Sequence, residues 1–391
     1  MRFLRRSYLS VAVIALALTT ARPSAAQFTP GNLAVLQVGD GVAGLTSAAT
    51  PISIGQFTIT GTPVGSPLVI PSTGAGALTL SGSATSEGAL SLSANGQWLT
   101  FGGFNTAAGT TGVATTASAT VPRAAVRIDS TASVGFSTLA DSFDGSDIRS
   151  AISTNGSDFW VAGNAGSGLG ATAGPRYHVY GSGAATQLSS VTTNRRVIGI
   201  FGGQLYTTSA SGTLFGVTAI GTGVPTTTGQ ASTLLPGFPT ATASPYAFVG
   251  IDNPLNPVAG VDTFYVADDR AAASGGGLQR WVFDGSNWTL SATVAGTTGL
   301  RGLTASLLGT TVSLYATTTE TSANRLVSIN DLLSASGGTF DPSFVTLATA
   351  PTNTAFRGVA FTPTPVPEPA SVVGIALGGL VVGGWIRRRK A

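Results

Sequence analysis

Few residues in this chain are equipped for chemistry: its 391 residues include no Cys and a single His, His178. Without thiols there is no disulfide, no thiolate metal site and no cysteine nucleophile, and a His-dependent relay or zinc site has His178 alone to build on. That residue stands between Tyr177 and Val179, where a lone imidazole reads as a packed or surface group. Asp268 and Asp269 are adjacent carboxylates, a pair that serves acid–base work if both face one cleft. Neighbours on a strand point to opposite faces, so the two read as solvated loop aspartates beside Arg270. Asp141, Asp144 and Asp147 crowd three carboxylates into seven residues and are candidate Ca²⁺ ligands. The EF-hand spacing and a closing Glu are missing, so no metal is assigned and the alternative is a solvated turn before a strand starting at Ile148. The Gly-rich stretch 163–170 lacks the strand-to-helix context of a phosphate cradle. Trp98, Trp160, Trp281 and Trp288 offer rings for sugar stacking, although aromatic residues in strands also fill the space between sheets. No catalytic residue and no cofactor follows from these patterns.

Composition narrows the elements that must position such residues. The chain has 53 Gly, about twice the average share, and its 9% of charged residues compares with the usual ~25%. Basic residues gather at the ends, as Arg2, Arg5, Arg6 and Arg22 and as Arg387, Arg388, Arg389 and Lys390. Residues 27–366 keep 11 Arg, no Lys and 15 acidic residues, a net charge of −4. The pI of about 9.5 therefore belongs to the ends. With no basic run between them to neutralise phosphates, nucleic acid is not an expected partner.

The N-terminus has the three parts of a secretory signal over residues 1–26: the early arginines, an apolar stretch over 9–18, and the small residues Ser24, Ala25 and Ala26, with cleavage expected between Ala26 and Gln27. The apolar stretch is shorter than the ~20 residues that span a bilayer. Arg5-Arg6-Ser7-Tyr8-Leu9 fits a twin-arginine export motif, and an ordinary Sec signal with two adjacent Arg fits as well. Near the other end, alternate prolines over 362–369 cannot continue a ladder or a helix and read as an extended linker. Residues 370–386 carry no charge, with Trp385 at their end, and are followed by the basic residues of 387–391. This is the pattern of a single short transmembrane helix whose basic tail stays cytoplasmic, leaving the body outside.

Val366, Pro367, Glu368 and Pro369, followed by an apolar helix and a terminal Arg cluster, resemble the PEP-CTERM sorting signal of Gram-negative bacteria. The resemblance implies that Pro367, Glu368 and Pro369 are read by the membrane enzyme exosortase. It further implies that Arg387, Arg388, Arg389 and Lys390 act as the stop signal, and that the tail is removed or exchanged on the way to the surface. Such proteins accompany exopolysaccharide production and biofilm formation. The implied partners are exosortase and the export machinery, exopolysaccharide, and the inner membrane transiently. A plain tail anchor with a proline-rich stalk is the other reading of the same residues.

The body, 27–361, shows almost no helical periodicity. Short β-branched and aromatic runs alternate with turn residues, so an all-β fold is expected. Hairpin units recur at 89–101 around Asn95-Gly96, at 148–161 around Asn155-Gly156, at 197–206 around Gly202-Gly203, at 246–266 and at 302–315 near Gly309. Each is followed by further strands, at 123–128, 176–180, 214–220, 278–283 and 325–329. Their spacing suits the blades of a β-propeller. Leu300-Arg301-Gly302-Leu303-Thr304 matches Phe356-Arg357-Gly358-Val359-Ala360; the body thus ends on an inner strand, whose partners are expected at 33–38 and 52–60. Joining last to first closes six blades. Seven is the competitor, because runs at 64–70 and 78–80 have no clear place.

These readings converge on an exported, non-enzymatic propeller of the cell envelope surface or matrix, structural or adhesive, whose Ser/Thr/Asn-rich loops hydrogen-bond to polysaccharide. The alternative is a secreted propeller enzyme, a lyase or glycoside hydrolase, acting on matrix polysaccharide. An Arg, Tyr and Asp cluster on one face would favour the enzyme.

Overall fold

Alternating apolar runs with turn-forming residues between them give short antiparallel strands, and here six such sheets stand radially around one axis as a six-bladed β-propeller. The computed structural model describes residues 28–296 and 298–366. The signal sequence with Ala26 and Gln27, the motif residues Pro367, Glu368 and Pro369, the apolar stretch 370–386, and Arg387, Arg388, Arg389 and Lys390 lie outside the described residues. Among the described residues, helix amounts to three single 3₁₀ turns.

The first blade joins the two ends of the body in the order Ala355–Phe361, Leu33–Val38, Ile52–Phe57, Leu68–Val69. Leu33 pairs with Phe361 and Val38 with Ala355, antiparallel, which gives the last inner strand its partner and leaves no open edge. The next four blades follow the chain. Their inner strands are Ser91–Leu92, Ile148–Ser153, Ile198–Phe201 and Pro245–Ile251. The sixth starts with Leu300–Leu308, and its outermost position is shared by Gly337–Phe340 and Val345–Thr349, both paired with Arg325–Ser334.

The six blades expected from joining last strand to first are the ones that form, and the competing seventh is absent among the described residues. Leu68–Val69 is the outer strand of the first blade, and Leu80–Ser81 pairs with Ala49–Thr50 in a small two-stranded sheet. Both runs are too short to fill four positions of their own.

Antiparallel pairing makes all six inner strands run the same way, so they start together at one end of the channel, the mouth, and finish at the other, the base. Asn95-Gly96, Asn155-Gly156 and Gly202-Gly203 turn the inner hairpins at the base, where Gly96 has φ 72° and Gly156 φ 85°, a conformation a side chain resists. The base loops also hold Asp129, Asp252 and Asp284. After the closing strand the chain stays at this end: Thr362 donates from its backbone to Asn32 O at 2.9 Å, and Thr364 to Gly96 O at 2.8 Å.

The core lies between blades. Phe238 stacks on Trp281 at 4.1 Å, Phe264 meets Trp288 at 4.8 Å, and Trp160 is buried with Nε1 donating to Pro225 O at 2.7 Å. Three of the four candidate stacking tryptophans therefore fill the core. Trp98 is half-buried under the Arg127 guanidinium at 4.7 Å. The repeated Arg-Gly pair has a packing reason as well. A Cβ on Gly302 would sit 2.9 Å from Arg357 O, and one on Gly358 would sit 2.5 Å from Gly88 O, so each glycine lets one inner strand approach the next.

Candidate functional site

The second strand of a blade, or its inner strand, reaches across to the next blade's inner backbone. Thr100 Oγ1 donates to Ala151 O at 2.9 Å, Ser150 Oγ to Arg196 O at 2.9 Å, Thr208 Oγ1 to Tyr246 O at 2.7 Å and Thr317 Oγ1 to Arg357 O at 3.0 Å. Small hydroxylated residues satisfy these carbonyls without pushing the blades apart. They also fix the backbone from which the mouth side chains project.

At equivalent places near the start of the inner strands stand Arg149, Arg196, Tyr246, Arg301 and Arg357. The Arg196 guanidinium lies 4.2 Å from the Tyr246 ring centre and that of Arg301 lies 5.2 Å from it, an arrangement in which the ring face attracts both cations. Asp269 ties them together, 3.0 Å from Arg301 Nη2 and 3.8 Å from Arg196 Nη1. Arg149 pairs with Asp147 at 3.0 Å and donates to Asn194 Oδ1 at 2.6 Å. Arg357 donates to Gly82 O at 2.7 Å.

The charges are placed so closely that they alter one another. Burial lowers Arg357 to about 10, with Glu87 opposing and Arg301 reinforcing the shift. Burial likewise lowers Arg196, and Arg149 and Arg301 push in the same direction. Burial, with Asp147 beside it, drives Glu87 well above the usual carboxylate range although Ser81 N–H and Arg357 oppose this. Asp147 goes the other way: burial works against its charge, but Arg149, Ser86 and Ser146 outweigh it and hold the carboxyl low. Below this ring the channel turns apolar, a cavity of about 220 Å³ whose walls include Leu90, Ile152, Ile198, Phe248 and Leu303.

The candidate residues of the sequence fall elsewhere or take other roles. Asp268 and Asp269 are not solvated: Asp268 is buried against Arg270 at 2.8 Å, and Asp269 is the bridge just described. A strand end carries them into the mouth, where Asp268 meets Arg270 and Asp269 meets both Arg196 and Arg301. Asp141, Asp144 and Asp147 do not converge on a cation. Asp141 accepts from Ala185 N at 3.0 Å, Asp144 from Ser118 N at 2.7 Å, and Asp147 holds Arg149; no group of three ligands is present among the described residues. His178 is buried, with Nδ1 2.7 Å from Ala184 O and Nε2 2.7 Å from Ser137 Oγ. Val366 is exposed where the described body ends.

The arginine ring escaped notice in the sequence. Its signal was the recurrence of Arg at the head of an inner strand in Ile148-Arg149, Arg196-Val197, Leu300-Arg301 and Phe356-Arg357, of which the last two were matched for closure alone. Chemically, the ring can hold and orient a ligand. Its carboxylates are ion-paired or buried, so a two-carboxylate hydrolytic pair is not available there.

No protein-family model matches the chain, and neither does any curated protein. Among solved structures it is similar to a candidate 6-phosphogluconolactonase from Bacteroides uniformis, at 13% identity and TM-score 0.43, covering 82% of this chain and 83% of that one. The dihydro-heme d1 dehydrogenase NirN is similar at 11% identity and TM-score 0.40, over 83% of this chain and 56% of that chain. YCF48 bound to D1 peptide is similar at 12% identity and TM-score 0.36, over 84% and 88%.

Proposed function

We propose that the chain is an exported protein, sorted to the cell envelope surface or matrix through its C-terminal signal at Val366, Pro367, Glu368 and Pro369, where its propeller binds matrix polysaccharide without cleaving it. One observation carries the binding reading. Arg149 Nη2, Arg196 Nε and Nη2, Arg301 Nη1 and Arg357 Nη1 have no protein acceptor among the described residues, while the carboxylates beside them are paired or buried. Such a mouth presents fixed donors to a ligand and no free acid–base pair. Isothermal calorimetry of the full-length chain with matrix polysaccharide, combined with sizing of the polymer before and after, tests this. Binding with unchanged polymer length is expected, and shortened chains or no binding defeat it.

Arg196, Arg301, Tyr246 and Asp269 do gather on one face, the kind of cluster that favours the enzyme, and Tyr246 supports that second reading, as a lyase. Its hydroxyl has no partner among the described residues and its ring lies against two guanidiniums, a setting suited to proton abstraction next to an arginine-bound group. Release of unsaturated sugar ends would decide for it.

A further inference from the structure

We infer that the mouth recognises an acidic sugar, carrying a carboxylate or a sulfate ester, and that Arg196 is the residue that grips its anionic group. The inference rests on the polysaccharide-binding reading and names the class of sugar.

Charge balance comes first. The described body is net negative, yet, with Asp268 matched by Arg270, the four arginines of the ring face only two ion-paired carboxylates, Asp147 and Asp269, with Glu87 buried and pushed toward its neutral form. A modest positive surplus suits one singly charged group. A polyphosphate would bring more negative charge than the ring neutralises and would meet the nearby aspartates.

Geometry comes second. Arg301 spends its Nε and Nη2 edge on Asp269, at 3.2 and 3.0 Å, and Arg149 spends Nε on Asp147. Arg196 is anchored by Nη1 alone, to Ser244 Oγ at 2.8 Å and Pro245 O at 3.1 Å. Its Nε and Nη2, which lie on one edge of the guanidinium and form a parallel pair of donors, stay open. That edge matches two oxygens of a carboxylate or sulfate, and a lysine cannot reproduce it. The Tyr246 ring fixes the plane of Arg196 before a ligand arrives, which lowers the ordering cost of binding. The remaining free N–H groups of Arg149, Arg301 and Arg357 are left for sugar hydroxyls.

The test is calorimetry of the full-length chain with polygalacturonate, dextran sulfate and neutral dextran, for wild type, Arg196→Gln, Arg196→Lys and Arg301→Gln, with melting temperature recorded for each. The wild type is expected to bind one or both acidic polymers and not dextran, more weakly as salt rises. Arg196→Gln and Arg196→Lys should each lose affinity by about tenfold or more while still folding. Arg301→Gln, which frees Asp269 to face the ligand, should weaken binding too and serves as the measure if Arg196 variants do not fold. Preference between the two acidic polymers tells carboxylate from sulfate ester. Equal binding of dextran, or unchanged affinity in the variants, overturns the acidic-sugar assignment but leaves a polysaccharide-binding propeller standing. Failure to bind any of the polymers overturns both.

Discussion

Tyr265 of the fifth blade donates its hydroxyl to Asp331 Oδ2 of the sixth across 2.6 Å, inside a contact where both residues are buried. Arg280 reaches the same carboxylate at 2.6 Å, so one aspartate is held from two neighbouring residues of the adjoining blade. Burial, together with the charge of Asp331, raises the phenol and keeps it a neutral donor. Ion pairs so deep repay their desolvation only when fully hydrogen-bonded, and their worth is to fix which faces meet.

Replacing that carboxylate should be costly. Asp331→Ala leaves the Arg280 guanidinium, 4% exposed, without a counter-charge, and a loss of about 3–5 kcal/mol is expected. Tyr265→Phe removes one hydrogen bond and keeps the ion pair, for about 1 kcal/mol. Urea unfolding of both variants checks the order, and a Tyr265→Phe loss as large as that of Asp331→Ala contradicts it.

Gly358→Ala should destabilise the closure itself. The new methyl would fall on Leu90 N and lie 2.5 Å from Gly88 O, both backbone atoms that no rotamer change can move aside. A loss of about 1–3 kcal/mol is expected from such overpacking, read as a lowered melting temperature. Gly76→Ala, where nothing lies within 4 Å and the backbone is outside the left-handed region, serves as a control for the side chain without the clash.

Acid should weaken the fold through His178. Burial lowers its pKa below the ordinary 6.5, with Ala184 O and Asp141 opposing. Because the folded state prefers the neutral ring, the contribution is fully present above about 6.5 and is lost as pH falls through the lower folded value. Melting temperature followed from pH 7.5 downward should therefore decline more steeply in wild type than in His178→Gln, a comparison at about 6.5 and below. Parallel curves would remove His178 from the acid limb.

Glu368→Ala should separate sorting from anchoring. Insertion of residues 370–386 depends on hydrophobicity and flanking charge, so a plain anchor tolerates the change. A sorting enzyme that reads Pro367-Glu368-Pro369 does not, and the variant is expected to stay unprocessed in the membrane while wild type appears beyond it without Arg387, Arg388, Arg389 and Lys390. Mass spectrometry of C-terminal peptides in each fraction decides it.

Much of the fold was legible because hairpins announce themselves locally. Asn95-Gly96 and Asn155-Gly156 turn as their type requires, and the Arg301-Gly302 and Arg357-Gly358 match located the closing strand. The outer strand Leu68–Val69 and the separate short strand Leu80–Ser81 were obscure because two residues carry no periodicity. The mouth was less legible for a different reason. Arg149, Arg196, Tyr246, Arg301 and Arg357 are far apart in the chain and meet only through radial symmetry, and Asp269 looked solvated because its arginines arrive from the fourth and sixth blades.

The chain enters and leaves this ring on one side. Leu33 and Phe361 are paired at the base, and Thr362 there also reaches back to Thr29 O at 2.7 Å, so both ends of the described body lie at that pole while Arg196 and Tyr246 open at the other. The described body is thus a cup whose rim stands clear of both of its chain ends, so a ligand can reach the arginines without meeting either.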